Sequence, residues 1–143
     1  MSARTLLASA ARTASSNGGA LSLDFSRVRG ALFVLTVTAA AADAADTLDV
    51  FVQHTWDGTN FDDFVHFTQV LGNGGAKTYL AQWRRDVSPE SELRAPADAT
   101  LAAGVLQGGP VGDDLRLKWL IVDSGDADQS FTFSVTALFE YDR

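Results

Sequence analysis

The two histidines of this chain lie among carboxylates in one predicted hairpin. His54 and His66 are on opposite sides of a turn, and the same segment carries three carboxylates, Asp57, Asp62 and Asp63. Residues directly opposed on such a hairpin have Cβ atoms about 5 Å apart, so one register would let the imidazoles share a metal ion. No third ligand follows at a fixed spacing, and no His-Glu-x-x-His motif occurs. We therefore expect no metal, but a solvated strand face beside an acidic turn.

Two acidic turns raise the question of calcium. Residues 57–63 and residues 123–128 each contain three aspartates. Neither segment follows the calcium-loop pattern of alternating ligands, a central glycine and a distal glutamate. Asp and Gly are also the residues that tight turns require for their backbone geometry. We expect solvated turns, with a weak calcium site as the alternative.

Nothing in the sequence arranges side chains for catalysis. The chain has no cysteine, no Gly-x-Ser-x-Gly elbow and no glycine loop of the phosphate-binding type. A Ser-His-Asp arrangement or a carboxylate pair would have to be assembled from separate loops, and no spacing points to one. We expect a protein that is not an enzyme and takes no cofactor.

The three tryptophans point to binding rather than to chemistry. Trp119 shares its parity with apolar neighbours on a predicted strand, so it is expected in the core. Trp56 flanks a turn and Trp83 ends a strand beside two arginines, and both are expected at the surface. Exposed aromatic side chains stack on sugar rings, and tryptophan is also enriched at protein interfaces. A carbohydrate-binding module is therefore one alternative.

The charge balance disfavours nucleic acid as a partner. The chain has 11 Lys+Arg against 18 Asp+Glu, a net charge of −7, whereas phosphate-binding surfaces are basic. Arg84 and Arg85 are its one pair of adjacent basic residues. The apolar stretch at residues 32–42 is shorter than the about 20 residues that a membrane-spanning helix needs. We expect a soluble, untargeted chain that binds neither nucleic acid nor membrane.

Alternating apolar residues predict an all-β fold. Every second residue of 131–141 is apolar, as in a half-buried antiparallel strand, and residues 115–122 are predicted to form a hairpin with it. Seven or eight such strands, with a central strand at 31–38 covered on both faces, are typical of an antiparallel β-sandwich of jelly-roll or immunoglobulin-like order. The core is expected to contain Leu117, Trp119, Phe131, Phe133, Val135 and Phe139.

We expect one domain with two irregular segments. Residues 1–20 are rich in Ala, Ser, Thr and Gly, which offer little apolar area against the entropy of ordering, so they predict a flexible, extended N-terminal arm. Residues 21–143 are expected to form the sandwich, with a first short strand at 21–25. Residues 86–114 contain all three prolines and predict a long irregular excursion with one short strand near 101–106, of the kind that often forms an interface.

Residues 31–71 and 115–139 resemble small all-β virion proteins of tailed bacteriophages. The resemblance lies in the run LDVFVQHTWDGTNFDDFVHFTQV at residues 48–70, and in LRLKWLIV at 115–122 followed by SFTFSVTA at 130–137. Capsid decoration (cement) proteins are the group that fits best, and a tail or neck component is the alternative within the same class. The resemblance has no counterpart for residues 1–20 or 86–114 and carries no catalytic residues.

This resemblance implies a structural protein of the virion, favoured on the head surface and soluble in the host cytoplasm before assembly. Its implied partners are the major capsid protein or other virion subunits, together with copies of itself, with a trimer favoured by analogy. The residues expected at the interface come from the arm, the tryptophans and the excursion: Ser2, Arg4, Leu6, Leu7, Arg12, Trp56, Trp83, Arg84, Arg85, Leu93 and Arg94.

Overall fold

The computed structural model describes residues 2–40, 43–89 and 93–142, and every regular element in these residues is a strand. Met1, Arg143 and residues 90–92 of the excursion lie outside the described residues. The strands are β1 (Ser2–Arg12), β2 (Ser16–Asn17), β3 (Val28–Ala40), β4 (Thr47–Thr55), β5 (Phe61–His66), β6 (Val70–Leu71), β7 (Lys77–Arg84), β8 (Val105–Leu106), β9 (Asp114–Val122) and β10 (Phe131–Tyr141).

The strands form two sheets that pack face to face. One sheet has the order β1-β10-β3-β7, and the other has the order β2-β9-β4-β5-β8 with β6 paired to β4. Every pairing is antiparallel. The predicted β-sandwich is confirmed. The predicted hairpin of β9 and β10 is wrong, because the two strands lie in different sheets and residues 123–130 cross between the layers.

Alternation along the strands builds the core between the sheets. On β10 the residues Phe131, Phe133, Val135, Ala137 and Phe139 are buried, and the residues between them are not. Leu117 and Trp119 of β9 face them from the other sheet and are also buried. The core residues predicted from the sequence are therefore confirmed. β3 is central in its sheet, as predicted, but its outward side chains are half exposed rather than covered.

Residues 2–12 form an edge strand instead of a flexible arm. β1 pairs with β10 from Ser2↔Phe139 to Arg12↔Phe131, with two register shifts. Leu6 is buried in the core, and the Arg12 guanidinium donates to the carbonyl oxygen of Phe133 at 2.8 Å. The side chains of this segment offer little apolar area, but its backbone is held by the hydrogen bonds that the edge of β10 offers.

Two further segments differ from expectation. The predicted strand at residues 21–25 is an extended segment that follows the start of β9, since the Leu21 and Phe25 N–H groups donate to the carbonyl oxygens of Leu115 and Asp113. Within the described part of 86–114, β8 is the only strand before β9 begins. It pairs with β5 and brings the excursion over the outward face of the second sheet.

Candidate functional sites

The turn between β4 and β5 is held by its own aspartate. Asp57 accepts the backbone N–H groups of Thr59 and Asn60 at 2.8 and 2.7 Å, and Gly58 has a positive φ of 79°. The bonds from Asn60 and Thr59 lower the pKa of Asp57 to about 2. This carboxylate is committed to turn formation, in agreement with the geometry that Asp-Gly turns require.

The expected solvation of the histidines is wrong, and the two imidazoles lie on opposite faces of the second sheet. His54 has the inward parity of Val52, whereas His66 is opposite Phe51 on the outward face, which the excursion covers. Asp63 is fully buried and accepts the N–H groups of Ala99, Thr100 and Leu101 at 2.8 to 3.1 Å. Its Oδ1 also accepts from Gln53 Nε2 at 2.7 Å. A carboxylate can leave water when several N–H donors replace its hydration. Asp63 therefore anchors residues 97–101 over β4 and β5.

His54 belongs to a second anchor rather than to a metal site. The register pairs His54 with Asp62, and its Nε2 lies 2.9 Å from Asp62 Oδ2 while Nδ1 accepts the N–H of Gly112 at 3.0 Å. Gly112 approaches the Thr55 carbonyl so closely that no Cβ would fit. Both ring nitrogens of His54 thus have protein partners. The imidazole spans β4, β5 and the end of the excursion.

Asp62, the partner of His54, is held by a charged side chain and by the backbone of the excursion. Arg94 donates to both of its oxygens at 2.6 Å, and the N–H of Ala97 adds a bond of 2.9 Å. Burial opposes ionisation, but the bonds from His54 and Arg94 hold the pKa of Asp62 well below its usual range. Arg94, predicted at an interface, is thereby fixed in position by the strand beneath it.

His66 forms a third anchor. Its Nδ1 lies 2.6 Å from the carbonyl oxygen of Leu101, and its Nε2 lies 2.8 Å from Asp49 Oδ1. Both partners are acceptors, so both ring nitrogens donate and the ring is an imidazolium. Burial opposes the charge, but Asp49 and the Leu101 carbonyl raise the pKa of His66. The ring also stacks on Phe51, with centroids 3.9 Å apart.

A cleft opens beside Trp56, at the end of the second sheet where His54 and Asp62 lie. Trp56 is 53% exposed and borders a cleft of about 360 Å³. The cleft takes in all three prolines of the chain: its lining is His54, Trp56, Asp62, Phe64, Pro89, Arg94, Pro96, Gln107, Gly108, Pro110 and Val111. On its other side Trp56 borders a second groove with Phe61, Asp98 and Arg116. We call the first of these the Trp56 cleft.

Trp83 is 1% exposed, so its expected surface position is wrong. Its ring lies 5.1 Å from that of Phe25 in the core, because β7 turns this residue inward opposite Ala31. Arg85 donates to the carbonyl oxygens of Phe25 and Val28 at 2.8 and 2.9 Å and therefore closes the end of the sandwich. Arg84 is half exposed and pairs with Glu140 at 3.2 Å.

The remaining predicted interface residues are spread along β1 and the excursion. Arg4 and Leu93 are exposed, whereas Ser2 and Leu7 are half buried and Leu6 is buried. Arg12 donates to the carbonyl oxygens of Ala8 and Ala10 as well as to that of Phe133. The structure therefore brings Trp56 and Arg94 together in one cleft and leaves the β1 residues on a different edge.

Four aspartates that the sequence did not group form an acidic cluster. Carboxylate oxygens of Asp43, Asp46, Asp126 and Asp128 lie within 4.8 Å of one another. Asp46 is buried and accepts the N–H of Ser124 at 2.6 Å. A hydrogen bond with Asp126, together with burial, raises the pKa of Asp128 to about 6. These residues could hold a cation, and without one they compete for protons.

The outward face of the first sheet has no charged side chain over three cross-strand rows. Leu32, Val34, Leu80 and Leu138 form its apolar centre, and Leu80 is 64% exposed. The surrounding positions are small or neutral: Ala3, Thr5, Thr36, Thr78, Gln82, Ser134 and Thr136. The ion pair of Arg84 and Glu140 lies at one end. We call this surface the neutral face.

The fold and these surfaces define an all-β sandwich with a covered polar face, a proline-lined cleft and an uncharged sheet face. Comparisons with protein-family models, with curated proteins and with solved structures found no match. Among the described residues there is no helix long and apolar enough to cross a membrane.

Sequence reasoning missed Asp49, the acidic cluster and the neutral face. Asp49 lies on the outward side of β4, where the pairing of β4 with β5 brings His66 beside it, and the chain after β5 places the Leu101 carbonyl against the same imidazole. The cluster joins residues 43–46 to residues 126–128, which no local spacing connects. The neutral face had a signal, since Leu32, Val34 and Leu138 occupy the alternate positions on their strands. For residues 31–38 this pattern predicts burial on both faces of the strand.

Proposed function

We propose that this chain is a non-enzymatic structural protein of a virion, of the capsid decoration (cement) class. In this proposal it binds an assembled shell of major capsid protein, non-covalently and as a homo-oligomer, and stabilises it. The resemblance of residues 31–71 and 115–139 to small virion proteins gives the class. The single observation that supports a contact role is the half-exposed Trp56 above a cleft lined by prolines and a fixed arginine.

The composition of the Trp56 cleft suits protein contact. Tryptophan and arginine are the side chains that most often dominate interface energetics, and they act best in pockets that exclude water. The three prolines and Val111 give the cleft apolar walls. Arg94 holds Asp62 through two bonds, and its position is therefore set before any partner arrives.

Pre-organisation is the second argument. Ordering a loop on binding costs free energy, which an already fixed loop does not lose again. Residues 97–101 are held by Asp62 and Asp63, so this part of the excursion presents a rigid surface. A protein that must occupy many equivalent sites on a shell gains from such a surface, since each copy binds with the same geometry.

Binding to undecorated particles tests the proposal. The wild-type chain should saturate at a fixed number of copies per shell and raise the temperature of shell disruption, because a ligand of the intact state stabilises it. Trp56→Ala should weaken binding at least about tenfold, which corresponds to about 1.4 kcal/mol. Leu71→Ala, an exposed apolar residue away from the cleft, is the matched control and should bind as the wild type does.

The proposal fails if the wild-type chain binds no shell. Electron microscopy of complete particles separates the positions within the virion. Copies found at the tail or neck, with none on the shell, would reject the decoration role and keep the virion assignment. Nucleic acid and membrane are not partners in this proposal, and a chain with a net charge of −7 gives no basic surface for them.

Carbohydrate binding is the second candidate, and the exposed indole of Trp56 favours it. A sugar ring could stack on this side chain beside the polar groups of the cleft. The platform would have one tryptophan, since Trp83 is in the core. A polysaccharide panel tests this candidate. A reproducible Kd below about 1 mM, or roughly 4 kcal/mol, that is lost in Trp56→Ala would favour sugar binding over shell binding, and we expect no measurable affinity.

A further inference from the structure

In the part of the chain that the structure describes, the apolar centre of the neutral face is exposed or half buried. Its centre is made by Leu32 and Val34 of β3, with Leu138 opposite Leu32 and Leu80 opposite Val34. Leu80 is 64% exposed, the second largest value among the exposed large hydrophobic residues after Leu93. Contiguous exposed apolar side chains of this kind mark interaction surfaces in soluble proteins.

Its surroundings follow the anatomy of an interface. The apolar centre is bordered by threonines and by Ser134, and the charged pair of Arg84 and Glu140 lies only at the end. Interface cores are depleted of charge, and polar or charged side chains collect at the rim. Leucine, valine and threonine on a pleated surface also interdigitate well when two sheets stack about 10 Å apart.

The net charge of the chain favours a second copy as the partner of the neutral face. Two copies of a chain with a net charge of −7 repel each other, so a contact that brings no like charges together is favoured. The neutral face is the surface on which two copies can meet without opposing like charges in its three central rows. An isologous contact places the same face on both copies, so both sides satisfy this condition together.

The area is sufficient for such a contact. The three uncharged rows together with the rim at Arg84 and Glu140 extend over four strands spaced about 4.8 Å apart and over the eight residues of β7 at about 3.4 Å each, which gives roughly 500 Å² per copy with the rim included. Two copies would bury roughly 1,000 Å², the lower limit for a specific interface. We propose that the neutral face binds a second copy of this chain, as a symmetric dimer of stacked four-stranded sheets.

This dimer is independent of shell binding, because the Trp56 cleft lies at the end of the other sheet and shares no residue with the neutral face. It also differs from the trimer that the resemblance implies, since an isologous face closes with two copies. Salt should strengthen its association, because it screens the repulsion between two copies of net charge −7 while the contact itself contains no charge outside its rim.

Sedimentation equilibrium of the full chain, at roughly 1 to 200 μM, tests this proposal over the range expected for a small interface. The wild type should approach twice the monomer mass of 15.2 kDa. Leu80→Glu places like charges opposite each other and should weaken association at least about tenfold. Val122→Glu, at a residue that is 54% exposed outside the neutral face, is the matched control and should remain dimeric.

Folding is checked separately from association. Far-ultraviolet circular dichroism and melting at a concentration where all variants are monomeric should be the same for Leu80→Glu and the wild type. Leu138→Lys is the second variant and should also weaken association. A wild type that is monomeric or trimeric throughout, or a Leu80→Glu variant that dimerises normally, would overturn the proposal. A monomeric wild type whose shell binding is lost in Leu80→Glu would assign the face to the shell instead.

Discussion

Arg94 and Asp62 join the irregular excursion to the hairpin beneath it through two N–H···O bonds of 2.6 Å. Asp62 is buried, whereas Arg94 is partly exposed. Removing Arg94 leaves the carboxylate with His54 and the Ala97 N–H, which replace only part of its hydration. This pair is therefore the point at which a surface loop becomes a rigid part of the sandwich.

Arg94→Ala should destabilise the fold by about 1–2 kcal/mol, because a buried acceptor loses its charged donor and Arg94 itself is partly solvated. The loss should concentrate near the Trp56 cleft, so hydrogen exchange should rise at Ala97 and Ala99 before other residues. Arg4→Ala, at an exposed position of β1, is the control. Unchanged exchange at both alanines would show that Asp63 alone fixes the loop.

His66 should make stability depend on pH near neutrality. Its pKa is raised in the fold, so its contribution is complete below the unfolded pKa of about 6.5 and is lost as pH rises through the folded pKa. The difference in unfolding free energy between the wild type and His66→Gln should therefore shrink as pH rises. In Asp49→Asn the His66 pKa, followed by NMR titration, should fall. Parallel pH profiles for wild type and His66→Gln would contradict the imidazolium.

Asp128 of the acidic cluster should also make stability fall as pH rises. The pKa of Asp128 is raised to about 6, so the contribution of Asp128 to stability is complete below an unfolded pKa of about 3.9 and is lost as pH rises through about 6. In buffer with a chelator, Asp128→Asn should be more stable than the wild type at pH 7, and the difference should shrink towards pH 4. Asp113→Asn, an exposed carboxylate elsewhere, should show no such trend. A destabilised Asp128→Asn at pH 7 would contradict the proton competition.

The core should respond to truncation as its packing requires. Phe133 is fully buried, and its ring packs edge-on against Trp119 at 6.0 Å. Phe133→Ala should cost about 3–5 kcal/mol through lost burial and a cavity. Leu80→Ala, measured where the chain is monomeric, should cost less than about 0.5 kcal/mol, as exposed substitutions do. Urea unfolding measures both, and equal losses would be inconsistent with an inward Phe133.

β1 should protect its arginines from trypsin. Arg12 donates to three carbonyl oxygens, and Leu6 is buried, so cleavage after Arg4 and Arg12 should be slow and should follow unfolding. Leu6→Asp should release the strand and speed cleavage at both sites. Ser9→Asp, at an exposed position of the same strand, is the control. Rapid cleavage of the native wild type at Arg12 would support a flexible arm instead of an edge strand.

More of the fold than of the candidate sites could be predicted from the sequence. The alternation on β10 predicted its buried face from Phe131 to Phe139, because a strand has two faces and a period of two. The turn at Asp57 and Gly58 was equally local. The charged neighbours Arg84 and Arg85 led to the wrong prediction that Trp83 lies at the surface. The parity of β7, and not the character of adjacent residues, decides which way its ring points.

The sequence by itself determined that this protein is built of strands and which residues of several strands form its core, because local periodicity carries that information. Only the tertiary structure decided that β9 and β10 lie in different sheets, that β1 closes an edge, and that residues 97–101 cover Asp63 and His66. Those features depend on contacts between residues far apart in the chain, such as Asp63 with Thr100 and Asp49 with His66. Hydrogen bonds between distant residues and the paths of loops produce no periodic pattern in the sequence. They are therefore seen only in the folded structure.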